Sequence, residues 1–393
     1  MSEVKLFSIK SWRAIWLQLH LYLGLSAGII FVIAGLTGSL LVFYIEIDEW
    51  LNPALHLEKS ITFESKISYE AILTSLHQAH PQRTGAWRME LPRDSQSMMM
   101  ARYYKPEETH HLHFAPLIVW INPYTAKVIS SRFWGQYLMT WLYDLHYQLW
   151  LDLSGKTIMA IIGGLLLIVT ITGIYLWWPR HWRQLKATLT FKKNSHPARF
   201  IFDLHKINGI YSFILIILLL ITGILLELPD TFNPMINHFS PLTKLPEPKS
   251  IRSTDSQRIS VDKAVNLAQH YYPQAQLRWI ETPKNNQASY RIIFYQKGEP
   301  SKRFPKTMIW IDQYNGQLLA IHDPLRFNSS GDTFINWLHP LHNGEIAGLI
   351  GRCFIFISGF VPLILWITGF IRWRQKAAVN FKKSKSSVNR IAR

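Results

Sequence analysis

Four stretches of the chain carry no charged residue and are almost wholly apolar: residues 14–45, 157–179, 207–226 and 353–371. A helix needs about 20 apolar residues to cross the hydrocarbon core of a bilayer. The pattern therefore predicts four transmembrane helices, and four such runs in one chain argue against core helices of a soluble protein. No small-residue cleavage site follows closely behind the first run. It reads as an uncleaved signal anchor rather than a signal peptide. None of the four runs shows an obvious break.

The long segments between the runs, 46–156 and 227–352, are each large enough for a small domain. Strand-like runs occur at 98–104, 117–121, 290–295 and 307–311, and an amphipathic helix precedes them in each segment, at 69–80 and 261–272. A helix followed by antiparallel strands reads as α+β. Trp134, Trp141 and Trp150 in the segment 133–153 suggest an interfacial helix before the second span.

The net charge of +17 on 393 residues raises nucleic acid or membrane as partners, and its placement decides. The start (Lys5, Lys10, Arg13), the middle loop (Arg180 to Lys206) and the tail after 371 hold 18 basic residues and two acids, Glu3 and Asp203. The rest of the chain is nearly neutral. Basic loops mark the cytoplasmic side, so both termini and the middle loop are expected there. The excess orients the chain and is not a nucleic-acid patch. The single Cys353 excludes an intrachain disulfide, an iron–sulfur cluster, a thiolate zinc site and covalently attached haem. It reads as a buried packing residue.

The two halves match each other. His20, Gly24, Thr37 and Gly38 recur at His205, Gly209, Thr222 and Gly223, all at one offset. His146, Gly155, Lys156, Thr172 and Gly173 recur at His342, Gly351, Arg352, Thr368 and Gly369, at a second constant offset. Outside the spans, 68–82 matches 260–274, and Val119-Trp120-Ile121-Asn122 matches Ile309-Trp310-Ile311-Asp312. The unit of helix, exterior domain and helix is used twice with both copies starting inside, which implies parallel repeats about an axis along the membrane normal.

That symmetry pairs the histidines, His20 with His205 at the cytoplasmic level and His146 with His342 at the exterior one. Ionisable groups inside membranes are rare and usually functional. Two neutral imidazoles facing each other suit the two axial positions of a haem iron. A proton relay and plain hydrogen-bonded packing are the alternatives. Gly24 and Gly38 fall on nearly the same face of their helix as His20, as Gly209 and Gly223 do for His205, and would leave room for a flat macrocycle. Close helix packing is the bland reading of these glycines. His339 competes with His342, but it aligns with Tyr143, so His342 is taken as the ligand and His339 as a neighbour. Lys156 and Arg352 could pair with haem propionates or snorkel at the boundary. His110, His111 and His113 form a further cluster; as a strand it would put His111 and His113 on one face as weak metal candidates. Met98–Met100 read as a strand. Trp12, Trp16, Trp177, Trp178 and Trp373 read as an aromatic belt.

The segments Leu19-His20-Leu21-Tyr22-Leu23-Gly24, Thr172-Gly173-Ile174-Tyr175-Leu176-Trp177-Trp178-Pro179-Arg180, Asp203-Leu204-His205 and Pro340-Leu341-His342-Asn343-Gly344-Glu345 resemble the PepSY-associated transmembrane family over nearly the whole chain. Asn343 stands where the family has Thr. The resemblance is nearest to inner-membrane ferric-siderophore reductases. It implies an α-helical membrane protein: a four-helix transmembrane bundle from two parallel repeats, with two α+β PepSY-like periplasmic domains. The corresponding division is a cytoplasmic start and first span (1–46), a first PepSY-like domain (47–132), an interfacial helix and second span (133–180), a cytoplasmic loop (181–200), a third span (201–228), a second PepSY-like domain (229–336), a fourth span (337–372) and a basic tail (373–393).

The resemblance further implies two non-covalent b-type haems, reduction of ferric siderophores or other ferric chelates in the periplasm, and location in the bacterial inner membrane. The electron donor would be a separate cytoplasmic molecule, because the cytoplasmic segments are too short for a nucleotide fold. Two other classes are kept beside this one: a regulatory or peptide-binding PepSY module, and a siderophore or haem permease, against which the few, unbroken helices count.

Overall fold

A computed structural model describes residues 9–57, 67–251 and 257–391. Lys5 and Glu3 of the expected cytoplasmic start lie outside the described residues. The chain divides into two compact units.

The first unit comprises Met1–Val42, Leu145–Pro229 and Leu341–Arg393. Its framework is the helices Ile9–Val42, Asp152–Trp177 and Pro197–Glu227 and a fourth pair, Gly348–Ser358 and Val361–Ile391. Apolar windows long enough to span a membrane lie in Trp12–Val42, Asp152–Trp177, Pro197–Glu227 and Glu345–Val379, which makes this a membrane protein with α and β parts. The first and third spans each pack on the second and the fourth. A small core of Ala27, Leu166, Ile216 and Leu220 joins them. Much of the remaining apolar surface, including Ile161, Ile171, Ile214 and Phe354, points outward. In water that would be untenable, whereas acyl chains cover it at no cost.

The fourth span departs from the unbroken helix that its apolar run suggests: it is interrupted at Gly359–Phe360. Pro362 has no N–H to donate to the Ser358 carbonyl one turn back, so the ladder cannot continue. The first span fits into the break, with Ser39 Oγ donating to the Phe356 carbonyl at 2.7 Å and Gly35 passing Gly359 backbone to backbone. Cys353 also differs from expectation, being exposed on the outside of its helix rather than buried.

The second unit comprises Phe43–Asp144 and Asp230–Pro340. Its strands are β1 (Arg88–Glu90), β2 (Met99–Tyr103), β3 (Leu117–Ile121), β4 (Val128–Phe133), β5 (Gln276–Glu281), β6 (Tyr290–Tyr295), β7 (Thr307–Ile311) and β8 (Leu318–His322). They form one antiparallel sheet in the order β4-β3-β2-β1-β5-β6-β7-β8. The two segments between the spans, expected as separate domains, are thus joined through β1 and β5, where Met89 lies opposite Ile280. Helices Tyr69–Ala79 and Val261–Tyr271 lie on one face, burying Ile72, Leu76, Val261 and Ala268 against Met89, Val119, Ile292 and Ile309.

The helix N-termini are capped twice over. Ser68 Oγ accepts from Ala71 N and Ser260 Oγ from Lys263 N, each at 3.2 Å. Each helix also caps the other: Asp262 accepts from Tyr69 N and Glu70 N, both at 2.9 Å, and Glu70 accepts from Val261 N at 2.7 Å. First-turn acids thereby satisfy orphan amides and meet the positive end of the neighbouring helix.

The tryptophan segment resolves differently from one interfacial helix. Only Trp141 lies within the helix Leu138–Gln148; Trp134 is buried ahead of it with its indole N–H on Asp144, and Trp150 sits in a left-handed turn after it.

Asp262→Ala removes the acceptor of two helix amides, and a cap of this kind is worth about 1–2 kcal/mol. Thermal unfolding of the full-length protein followed by circular dichroism should show a lower midpoint for this variant; an unchanged midpoint means that the reciprocal caps carry no stability.

Candidate functional site

His20 and His205 come together in the first unit, with ring centres 6.3 Å apart and ring planes nearly perpendicular at 88°. His146 and His342 form a second pair at 6.2 Å, inclined at 59°. Thr37, which touches His146, lies 17 residues beyond His20 on the same helix, about 26 Å at 1.5 Å per residue. The two pairs therefore occupy two levels of one bundle.

All four rings are held in the same way. His20 Nδ1 bonds the Val169 carbonyl at 3.0 Å and Thr172 Oγ1 at 3.2 Å. His205 Nδ1 bonds the Leu365 carbonyl at 3.1 Å and Thr368 Oγ1 at 2.9 Å. His146 Nδ1 bonds the Ala34 carbonyl at 3.0 Å and Thr37 Oγ1 at 3.1 Å. His342 Nδ1 bonds Thr222 Oγ1 at 2.9 Å, with the Leu219 carbonyl beside the ring. A carbonyl can only accept, and each threonine hydroxyl already donates to a carbonyl of its own helix. Nδ1 therefore carries the hydrogen and Nε2 the lone pair. This is the tautomer of a metal-binding imidazole, oriented by its other nitrogen.

The residue after each threonine is glycine, and it makes the space for the ring. A methyl group on Gly38 would stand 2.8 Å from His146 Cε1, one on Gly173 3.1 Å from His20, one on Gly223 3.3 Å from His342 and one on Gly369 3.5 Å from His205. Each Thr-Gly dipeptide is thus a notch for a histidine of the adjoining helix. The holding is reciprocal. The first span docks His20 on the second and receives His146, which precedes the second; the third and fourth spans do the same with His205 and His342.

Gly38 and Gly223 therefore serve the histidine of the neighbouring helix, not the one on their own. Gly24 and Gly209 are more open: a methyl group on either would have as its nearest neighbour Val169 at 3.9 Å or Leu365 at 3.8 Å, respectively. Thr37, Thr172, Thr222 and Thr368, with Gly173 and Gly369, are the site residues that sequence reasoning passes over. Their signal is present, since all belong to the matched pairs, but which helix they face is decided by packing.

The remaining candidates fall elsewhere. His339 packs edge-on against Phe304 in the sheet unit, ring centres 4.5 Å apart. Tyr143, its match, packs against Trp134 at 5.2 Å. Arg352 donates to the Val42 carbonyl at 2.7 Å and closes the C-terminus of the first span, while Lys156 stands near Glu227. His111 and His113 are exposed in a turn and not on a strand, which corrects that expectation. The preceding 3-10 turn at Glu107–Thr109 and the bends after it break the extended geometry. Among the described residues no group of three or more His, Cys, Asp or Glu could hold a metal ion. Met99 is buried in the sheet core, as a packing residue.

Each pair thus brings two imidazoles with Nε2 lone pairs to a little over 6 Å, and the bundle has two such pairs that could hold a metal. No curated protein matches the chain significantly. The PepSY-associated TM region matches residues 17–376, a stretch that takes in all four histidines and all four of their Thr-Gly notches, and the chain belongs to that family.

Proposed function

We propose that the protein carries electrons across the bacterial inner membrane by way of two bis-histidine b-type haems and reduces Fe(III) in siderophores or other chelates on the periplasmic side, releasing Fe(II). The observation that carries this reading is the pairing of four tautomer-fixed histidines at two levels of one bundle. Two metal–imidazole bonds of about 2.0–2.1 Å each, with the half-width of each ring, add to a little over 6 Å. Both ring pairs have that separation. With Cys353 the one cysteine of the sequence, haems held here would be non-covalent.

When bound, a haem supplies one-electron chemistry at its iron. The residues do the rest. His20 with His205 and His146 with His342 would hold the two haems, one pair to each iron. The backbone carbonyls at Nδ1 raise the donor strength of each imidazole and lock its plane. Gly24 and Gly209 leave the helix surface open beside the ligands. Lys156 and Arg352 are the basic side chains at the expected periplasmic level, though Arg352 also holds the first span's end. The basic start, middle loop and tail support cytoplasmic termini, a separate cytoplasmic electron donor and a sheet unit on the periplasmic side. The matched halves support two parallel repeats about an axis along the membrane normal. Reduction weakens hard-oxygen chelates because Fe(II) is softer and less charged; one electron added to the ferric chelate yields Fe(II) and intact chelator.

The break in the fourth span favours a second reading, a carrier for the chelate or haem, since discontinuous helices mark transport sites. Uptake of labelled chelate by liposomes holding only this protein would support it, and absence of uptake would remove it.

Detergent-purified protein should show a Soret band, sharp α and β bands on reduction and two haems per chain, with the bands reoxidised by ferric chelate. His205→Ala and His342→Ala should each lose about half the haem, and a protein without a Soret band contradicts the reading. Gly173→Val should do the same as loss of His20 by filling its notch. Thr172→Val should weaken retention of haem by about 10–100-fold, the usual effect of losing an outer partner of a ligand, measured as transfer to apomyoglobin; full occupancy at wild-type retention would deny these residues their role.

A further inference from the structure

One face of the sheet is covered by the two helices; the other carries a line of arginines. Because side chains alternate along a strand, residues at one register level stand side by side on that second face. The level runs from Arg132 on β4 through Ile118 and Arg102 to Arg88, and on through Glu281 and Arg291 to Trp310. Arg88 and Arg102 are direct cross-strand partners, an arrangement that costs stability unless countercharge is near. The countercharge is incomplete. Arg102 has Glu90 and Arg132 has Asp48, but Arg88 and Arg291 share the single carboxylate of Glu281, with Nε–oxygen distances of 2.6 and 2.7 Å.

Lys306, which directly precedes β7 and by strand alternation falls on the face of Trp310, adds a further positive charge, which Arg88 repels. Among the described residues no carboxylate forms an ion pair with its ammonium. Glu299, the acid nearest in effect, spends its oxygens on Gln296 N, Thr307 Oγ1 and the backbone N of Lys306 itself. Burial holds the Lys306 ammonium below the usual lysine range, with Glu299 opposing and Arg88 reinforcing. The Arg88 guanidinium lies 4.5 Å from the Trp279 ring centre and 5.0 Å from that of Tyr104, which fixes its plane. Its side chain and that of Arg291 are 19% and 29% exposed, open to a ligand yet partly desolvated.

We propose that Arg88, Arg291 and Lys306, set against Trp279, form a binding site for a small multivalent anion of the carboxylate or phenolate class. Planar guanidinium forks match such oxygens in pairs, and a surplus of fixed cations left by one shared carboxylate is what an incoming anion would neutralise. That the anion is an iron chelate rests on the function proposed above; the site itself does not.

The test uses the full-length protein in lipid nanodiscs and gallium(III) citrate, a redox-inert anionic chelate, followed by equilibrium dialysis and by calorimetry. Saturable, salt-sensitive binding is expected, weakened at least about tenfold, or ~1.4 kcal/mol, by Lys306→Met and by Arg291→Gln. Arg326→Gln, at an exposed arginine elsewhere in the unit, should bind as wild type, and the absorption spectrum of every variant should stay unchanged. No saturable binding, wild-type binding by both site variants, or equal binding of a cationic gallium trihydroxamate overturns the proposal. Gallium citrate binding by a protein that holds no haem leaves this site standing and removes the electron-transfer reading; haem without such binding does the reverse.

Discussion

A hydrogen bond from an imidazole nitrogen to a backbone carbonyl of the next helix organises the membrane unit. It needs three things at once: a histidine, a carbonyl one turn before a threonine, and a glycine that leaves the ring room. The chain supplies the set four times. Because the first span holds a ring of the second segment and offers one in return, the helices of each half are fixed against each other at both ends. The same bonds fix the tautomer, since a proton on Nδ1 leaves the lone pair on Nε2. Helix association and imidazole orientation are therefore one interaction, which explains why threonine and glycine accompany every histidine.

The sheet unit solves a similar problem with different groups. Two short helices, each capped by its own serine, also exchange acids, Asp262 for Glu70. The exchange brings equivalent helices side by side over a sheet in which each half contributes four strands. Pairing of β1 with β5 leaves neither half an open inner edge, so the sheet is protected there from pairing with other chains.

Much of this is legible in the sequence because it depends on local pattern. The spans follow from apolar length alone, and four strands and both capped helices from periodicity; Leu117–Ile121, Tyr290–Tyr295 and Thr307–Ile311 match residue for residue. The repeat makes pairs of isolated histidines. Strands β1, β4, β5 and β8 are not legible. Arg88–Glu90 is too short to show a period, and Ser130, Ser131 and Arg132 dilute β4. What stays hidden depends on contacts between distant segments. The join of the two sheet halves is a register between residues nearly 200 apart. Helical periodicity assigns Gly38 and Gly223 to the histidines of their own helices, whereas the rings they admit come from the neighbour. Pro362 interrupts an apolar run that hydropathy treats as continuous, because its missing N–H has no effect on a hydrophobicity scale.

Electron paramagnetic resonance of the oxidised, purified protein tests the central claim most directly, because the ring planes are part of it. Two imidazoles of fixed, non-parallel orientation on a ferric porphyrin give low-spin signals whose anisotropy grows as the planes approach perpendicular. Two distinct low-spin ferric species are expected, the more anisotropic one lost with His20 or His205 and the other with His146 or His342. A high-spin signal, or a single species indifferent to which pair is altered, would contradict the paired-histidine haem sites.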